Sequence, residues 1–193
     1  MPFVNVSIPT DRLVLRVLGD ADLSAIFEIF SHAEVARYGS RPAMTAMSEA
    51  EEWLERTRAG HRAGTSLQLG LERRSDHAIV GTCTLWAIDA DSRRAEVGYT
   101  LGRPHWGQGL MAEALAAIVR HGFEALNLNR LEADTDPRNV ASIKVLEKLG
   151  FEREGYMRER WIVNGEICDT VFYGLLRREY QRASNATATA PIA

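Results

Sequence analysis

The sequence predicts a mixed α/β (α+β) fold, with one mostly antiparallel central sheet of about seven strands flanked by about four helices. Three observations carry this. Strand-like alternation and helix-like stripes follow one another in the order strand, two helices, three strands, helix, strand, helix, hairpin. The three consecutive strands have only Gly and charged clusters between them, with no helix interposed. A composition of 46% hydrophobic and 25% charged residues over 193 residues can fill one sizeable core. A single domain over 1–182 is therefore expected, and the low-complexity stretch 183–193 reads as a disordered tail.

Each element has its own signal. Arg12-Leu13-Val14-Leu15-Arg16-Val17 alternates charged and apolar residues, the pattern of a half-buried strand over 11–17. Asp20 or Asp22 can cap a helix whose apolar positions are Leu23, Ile26, Phe27 and Phe30. Past the turn residues Gly39-Ser40-Arg41-Pro42, Ser48 and Glu51 have capping-box spacing ahead of Trp53 and Leu54. Strands follow at 66–72, 78–88 and 94–101. A helix over 108–125 aligns Met111, Leu115, Ile118 and Val119 on one stripe. Leu131–Thr135 is a short strand, and Asn139 caps a helix carrying Val140, Ile143, Leu146 and Leu149 that stops at Gly150. Strands at 155–163 and 167–176 flank Asn164-Gly165, a strong hairpin signal.

Composition also excludes function classes. The formal charge is −3 and the arginines are scattered in pairs, which argues against direct nucleic-acid binding. Two cysteines, Cys83 and Cys168, make neither a disulfide framework nor a metal site, so no metal is expected and a reducing, cytoplasmic setting fits. No stretch approaches the ~20 apolar residues of a membrane span, and the N-terminus lacks the features of an export signal. Exposed strand edges near the C-terminal hairpin are compatible with a homodimer.

The most informative segment is the strand-to-helix turn Trp106-Gly107-Gln108-Gly109-Leu110-Met111-Ala112. The first amides of a helix lack internal acceptors and sit at the positive end of its dipole, and glycines let a bulky anion approach the backbone. A diphosphate is the natural guest. Glycines serving the turn alone would look the same. Neither a P-loop lysine nor the dinucleotide-fold glycine spacing is present, Ala112 standing at the third glycine position.

Trp106 to Ala114, followed by Asn139 to Phe151, resembles the GNAT superfamily of acyl-CoA-dependent N-acyltransferases, and within it the RimJ/RimL-type branch, which includes ribosomal-protein N-terminal acetyltransferases. Pro9 to Arg16, Asn164-Gly165, Asp169 and Tyr173 extend the likeness over residues 9 to 180. The superfamily's phosphate motif usually opens with Arg or Gln and closes with Gly or Ala, where this chain has Trp106 and Met111. Backbone amides make most contacts there, so acetyl-CoA binding is still implied, through Trp106, Gly107, Gln108, Gly109, Leu110, Met111 and Ala112, with Tyr99, Leu101, Asn139 and Lys144 alongside.

Amide formation from a thioester needs a neutral amine, stabilisation of a developing oxyanion, and a proton route. With an α-amine pKa of about 8 and a thiol pKa of about 8.5, modest base catalysis suffices and no covalent machinery is required. The resemblance implies Glu96 as base and Ser142 as acid, since the family's usual tyrosine position is Leu146 here. Each has a plainer reading: Glu96 as a strand charge paired with Arg94 or Arg74, Ser142 bonded to its own helix backbone, and Asn139 as a cap alone. Gly98 and Tyr99 can mark a strand bulge. For the acceptor, Asp169, Trp161 and Tyr173 on the hairpin, with Tyr38 on the opposite loop, offer acidic and aromatic faces suited to a cationic amine. The implied activity is acetyl transfer to a primary amine, a protein or peptide N-terminus first, with a small molecule such as a polyamine or aminoglycoside as alternative. A non-catalytic acyl-CoA-binding module is the alternative of another class.

Overall fold

A computed structural model describes residues 3, 5–39, 41–163 and 165–188 and gathers the chain around one sheet. Its strands are β1 (Ser7–Pro9), β2 (Leu13–Arg16), β3 (Leu67–Arg73), β4 (Ile79–Asp89), β5 (Arg94–Leu101), β6 (Arg130–Thr135), β7 (Glu152–Val163) and β8 (Glu166–Leu176). They lie in the order β1-β2-β3-β4-β5-β6-β8-β7, and only β5 and β6 run parallel. The helices are α1 (Leu23–Ser31), α2 (Ala33–Ala36), α3 (Met47–Ala63), α4 (Leu110–Glu124), α5 (Val140–Lys148) and α6 (Arg177–Ala188). The architecture is the predicted one. The additional elements include β1 and α2, three and four residues long, too short to carry a period.

Strand alternation decides the layers. Leu67, Leu69 and Leu71 of β3, Cys83 and Leu85 of β4, Ala95 and Val97 of β5, and Leu131 and Ala133 of β6 share one face and one core. Against them α4 sets Met111, Leu115, Ile118 and Val119, the stripe its sequence predicts, together with Ala114 and Phe123. A second, smaller core joins Ile26 and Ile29 of α1 to Trp53 and Leu54 of α3, with Phe30 and Trp53 rings 5.3 Å apart. Among the described residues no helix is long and apolar enough to cross a membrane.

Helix ends differ in detail from expectation. α3 begins at Met47, and Glu49, not Glu51, reaches back to accept the Ala46 N–H at 3.1 Å. Asp22 does not cap α1; it accepts both Arg16 Nη atoms, at 2.8 and 2.9 Å, because the strand-to-helix corner brings that guanidinium within reach. Asn139 does cap α5, its Oδ1 accepting from Ser142 N at 3.2 Å. In the β7–β8 hairpin Gly165 takes φ +80°, while Asn164 lies outside the described residues. α6 continues to Ala188, into the stretch read from composition as a tail, and residues 189–193 lie outside the described residues.

Candidate active site

Beyond Leu101 the chain makes a short turn over Arg103–His105 and enters α4 through Gly107 (φ +75°) and Gly109 (φ +74°). These left-handed conformations are cheap only for glycine, and nothing lies within 4 Å of a side chain built at Gly107. Among the described residues none of the amides of Gly107, Gln108, Gly109, Leu110, Met111 and Ala112 donates to a protein acceptor. Six consecutive free donors at a helix N-terminus form an anion cradle, so the chain fits the diphosphate of coenzyme A. The side chains of the turn are occupied otherwise. Trp106 Nε1 donates to Leu101 O at 2.7 Å, Gln108 Nε2 donates to Pro104 O at 3.1 Å, and Leu110 and Met111 are buried beneath.

The turn is also held from outside. Glu113 accepts from Thr10 Oγ1 (2.6 Å), Arg12 N (2.7 Å) and Arg12 Nε (2.6 Å), while Arg12 Nη1 donates to Gln108 O at 2.8 Å. Burial pushes the Glu113 carboxyl up, but these bonds outweigh it and hold its pKa below the ordinary glutamate value. The sequence shows Arg12 only as part of a strand and of the family likeness; a contact more than 100 residues apart has no local signal.

Beside the turn the sheet opens. Pairing of β5 with β6 covers only Arg94 to Glu96 against Arg130 to Glu132, after which the parallel strands part. Gly98 keeps regular register with Thr84, so the expected bulge is absent there; a side chain at Gly98 would come within 2.9 Å of Thr84 Cγ2. Into the opening runs a cleft of about 780 Å³, lined in part by Gly98, Tyr99, Asp134, Asn139 and Ser142. Tyr99 Oη and Ser142 Oγ are 2.7 Å apart across it. Burial raises the Tyr99 phenol to about 12 despite the hydrogen bond to Ser142, so it remains protonated. Lys144 is exposed on α5.

Glu96 is not itself among the residues lining the cleft; it is the cross-strand partner of Trp86 and the chain neighbour of Val97, which do line it, and the parallel partner of Glu132. Burial, then the charges of Asp134 and Glu132, raise its pKa. The simple pairing expected with Arg94 or Arg74 does not occur: Arg94 Nη1 binds Glu132 at 2.9 Å, and Arg74 Nη1 binds Thr10 O at 2.9 Å. Asp134 was missed in the sequence. Period two places it on the same face as Glu132, and it lines the cleft directly.

The acceptor residues divide. Tyr38, Trp161 and Asp169 line the cleft. Asp169 is already engaged, accepting the Tyr156 hydroxyl and the Glu159 N–H, the latter at 2.8 Å, which pins a bulge in β7 where Glu159 has φ +54°. Tyr173 is not brought into the cleft. It shares the α5-facing side of the sheet with its partner Ala133, is buried there, and donates to Glu147 Oε1 at 3.2 Å.

Residues 12–152 match the family model described as an acetyltransferase (GNAT) domain. The uncharacterized N-acetyltransferase p20 of Bacillus licheniformis is 35% identical over 171 residues, 89% of this chain and 96% of that protein. The ribosomal protein uS5-alanine N-acetyltransferase of Escherichia coli is 29% identical over 89% of this chain and 91% of its own length. A spermidine N-acetyltransferase from Vibrio cholerae, solved in complex with CoA and spermine, superposes with a TM-score of 0.80 at 22% identity, covering 89% of this chain and 99% of that one.

Proposed function

The chain belongs to the GNAT acetyltransferase family, and from that premise we propose that it moves an acetyl group from acetyl-CoA to a primary amine, the α-amine of a protein or peptide N-terminus, by direct attack on the thioester. The observation that carries this reading is the run of six amides from Gly107 to Ala112 that have no protein acceptor among the described residues, at the turn that follows β5, whose Gly98, Tyr99 and Thr100 line the cleft. Acetyl-CoA supplies the activated acyl group; the chain supplies position and proton transfer. The α4 turn holds the diphosphate, and Asn139 stands beside the path of the arm. Asp134 attracts the ammonium, and Glu96, its proton affinity raised, accepts the proton that frees the nitrogen lone pair. The Tyr99–Ser142 pair offers an O–H to the departing sulfur.

The Escherichia coli relative, named for acting on a ribosomal-protein alanine, supports a protein N-terminus. A polyamine acceptor is the second reading, favoured by the carboxylate of Asp134, which lines the cleft with no bonded partner among the described residues. The test incubates the full chain with acetyl-CoA and a panel of peptides and small amines, reading free thiol and acetylated product together. Stoichiometric release of both is expected. Tight acetyl-CoA binding with no transfer to any amine would instead establish a non-catalytic acyl-CoA-binding module.

A further inference from the structure

Charge around the cleft is sorted by wall. Its cations, Arg37, Arg41 and Arg56, all come from the stretch between α2 and the middle of α3, and its carboxylates, Asp134, Asp136 and Asp169, all come from β6, the following turn and β8. The acid wall is largely self-satisfied: Asp136 binds Arg138, Asp169 holds Tyr156 and Glu159, and Asp134 alone has no bonded partner among the described residues. The basic wall is not. Arg56 reaches Glu52 on its own helix at 3.6 Å, Arg37 lies 5.2 Å from the Tyr38 ring centre, and Arg41 has no carboxylate at ion-pair distance among the described residues. Partial desolvation of the Arg41 guanidinium, then the charge of Arg56, pull its pKa below the ordinary arginine value. Arg41 and Arg56 also border a side recess with Glu52 and with Glu49, whose carboxylate is bonded to the Thr45 and Ala46 amides, and an anion between two like charges on the cleft wall relieves them.

We infer, resting on the acetyl-transfer reading above, that the acceptor is a primary amine bearing an anionic group, carboxylate or phosphate, some way from its nitrogen: the ammonium enters toward Asp134 and the anionic end meets Arg41 and Arg56. A polyamine satisfies the first half of this cleft and violates the second, because its remaining ammonium groups would lie against the arginines. Discrimination of this kind works by repulsion as much as attraction.

The experiment measures kcat/KM of the full chain at low salt for amidated tetrapeptides that share an N-terminal alanine and carry Asp, Asn or Lys at the later positions, beside phosphoethanolamine and spermidine. The Asp peptide or phosphoethanolamine is expected to exceed the Lys peptide and spermidine by about tenfold or more, as charge complementarity at a partly desolvated site allows. Preference for the peptide assigns the anion to a protein N-terminus, and preference for phosphoethanolamine assigns it to a small molecule. Arg41→Glu is expected to reduce the ratio of Asp to Lys peptide by about tenfold, a 1.4 kcal/mol change in discrimination. Acetyl-CoA affinity, measured beside it, reports that the variant is folded. Equal rates for Asp and Lys peptides, or a ratio that Arg41→Glu leaves unchanged, overturns the inference and leaves acetyl transfer standing. Absence of thiol release with every amine would overturn the transfer reading itself.

Discussion

Tyr99 on β5 and Ser142 on α5 place their hydroxyl oxygens 2.7 Å apart, bridging the gap where the parallel strands separate. The helix position where the family usually carries a tyrosine holds Leu146, buried in the core. A phenol is nevertheless present at the cleft, delivered from the strand. We propose that the two hydroxyls act as one proton-donating unit. Ser142→Ala and Tyr99→Phe should each lower kcat by about tenfold or less, because a thiolate leaves with little help, and the double variant should show less than the product of the two losses. Steady-state kinetics on the four proteins checks this; fully multiplicative losses would separate the roles.

Glu96 is expected to set the acid limb of the pH profile. Its carboxyl keeps its proton to a higher pH than an ordinary glutamate, through burial and then the charges of Asp134 and Glu132. A folded-state pKa raised in this way makes folding stability fall as pH rises through that window, since the native state binds the proton more readily than the unfolded chain. Glu96→Gln should therefore melt no lower than the parent at pH 7 while losing about 10²-fold in kcat/KM, with a smaller loss at pH 9 where more amine is already neutral. An equal loss at both pH values would remove the base role.

The clamp of Arg12 and Glu113 should tune the cofactor turn. Glu113 is held below the ordinary glutamate pKa by Thr10 and Arg12, so the stability it contributes is present above its unfolded pKa and lost as pH falls through the folded value. Glu113→Gln is expected to lower the melting temperature at pH 7, with the difference from the parent closing on acidification. Arg12→Ala should raise the acetyl-CoA Kd roughly threefold to tenfold while leaving the amine KM nearly unchanged, because the lost contacts lie behind the loop and only about 1 kcal/mol, the net worth of one ordinary hydrogen bond, reaches the cofactor. Calorimetry and melts across pH read both.

At Gly109, backbone and ligand requirements coincide. With φ at +74°, Gly109→Ala should cost about 1–2 kcal/mol in stability and retain weakened acetyl-CoA binding. Gly109→Glu adds negative charge where the diphosphate is received and should abolish binding. Isothermal calorimetry decides between them, and unchanged affinity in the glutamate variant would displace the proposed cradle.

Cys83 lies fully buried in β4, and burial pushes its thiol far above the ordinary cysteine range. It should resist a thiol-specific disulfide reagent in the native Cys168→Ser protein and react stoichiometrically in urea. Cys83→Ala should keep kcat/KM within about twofold, as direct transfer without a cysteine nucleophile requires.

Much of the fold is legible one residue at a time. Leu67, Leu69 and Leu71 announce a half-buried strand, Met111, Leu115 and Ile118 a packed helix face, and Asn139 its own cap, because each signal lies within a few residues of the structure it dictates. The glycines of the cofactor turn are equally legible: their lack of a side chain is itself the local requirement, and Gly107 and Gly109 do adopt the left-handed backbone. Tyr173, by contrast, is aromatic and sits on the expected hairpin, yet strand parity turns it toward α5.

The chain alone determined the order of elements, the main core stripes and the anion-seeking turn, all products of short-range periodicity and backbone stereochemistry. Folding in three dimensions decided which charges meet. It set Asp134 beside Glu96, spent Asp169 on a bulge, brought Arg12 to Glu113 and left Arg41 across the cleft from the carboxylates. Coulomb energy and desolvation depend on distance through space, and loops of tens of residues join groups whose separation along the chain says nothing of it.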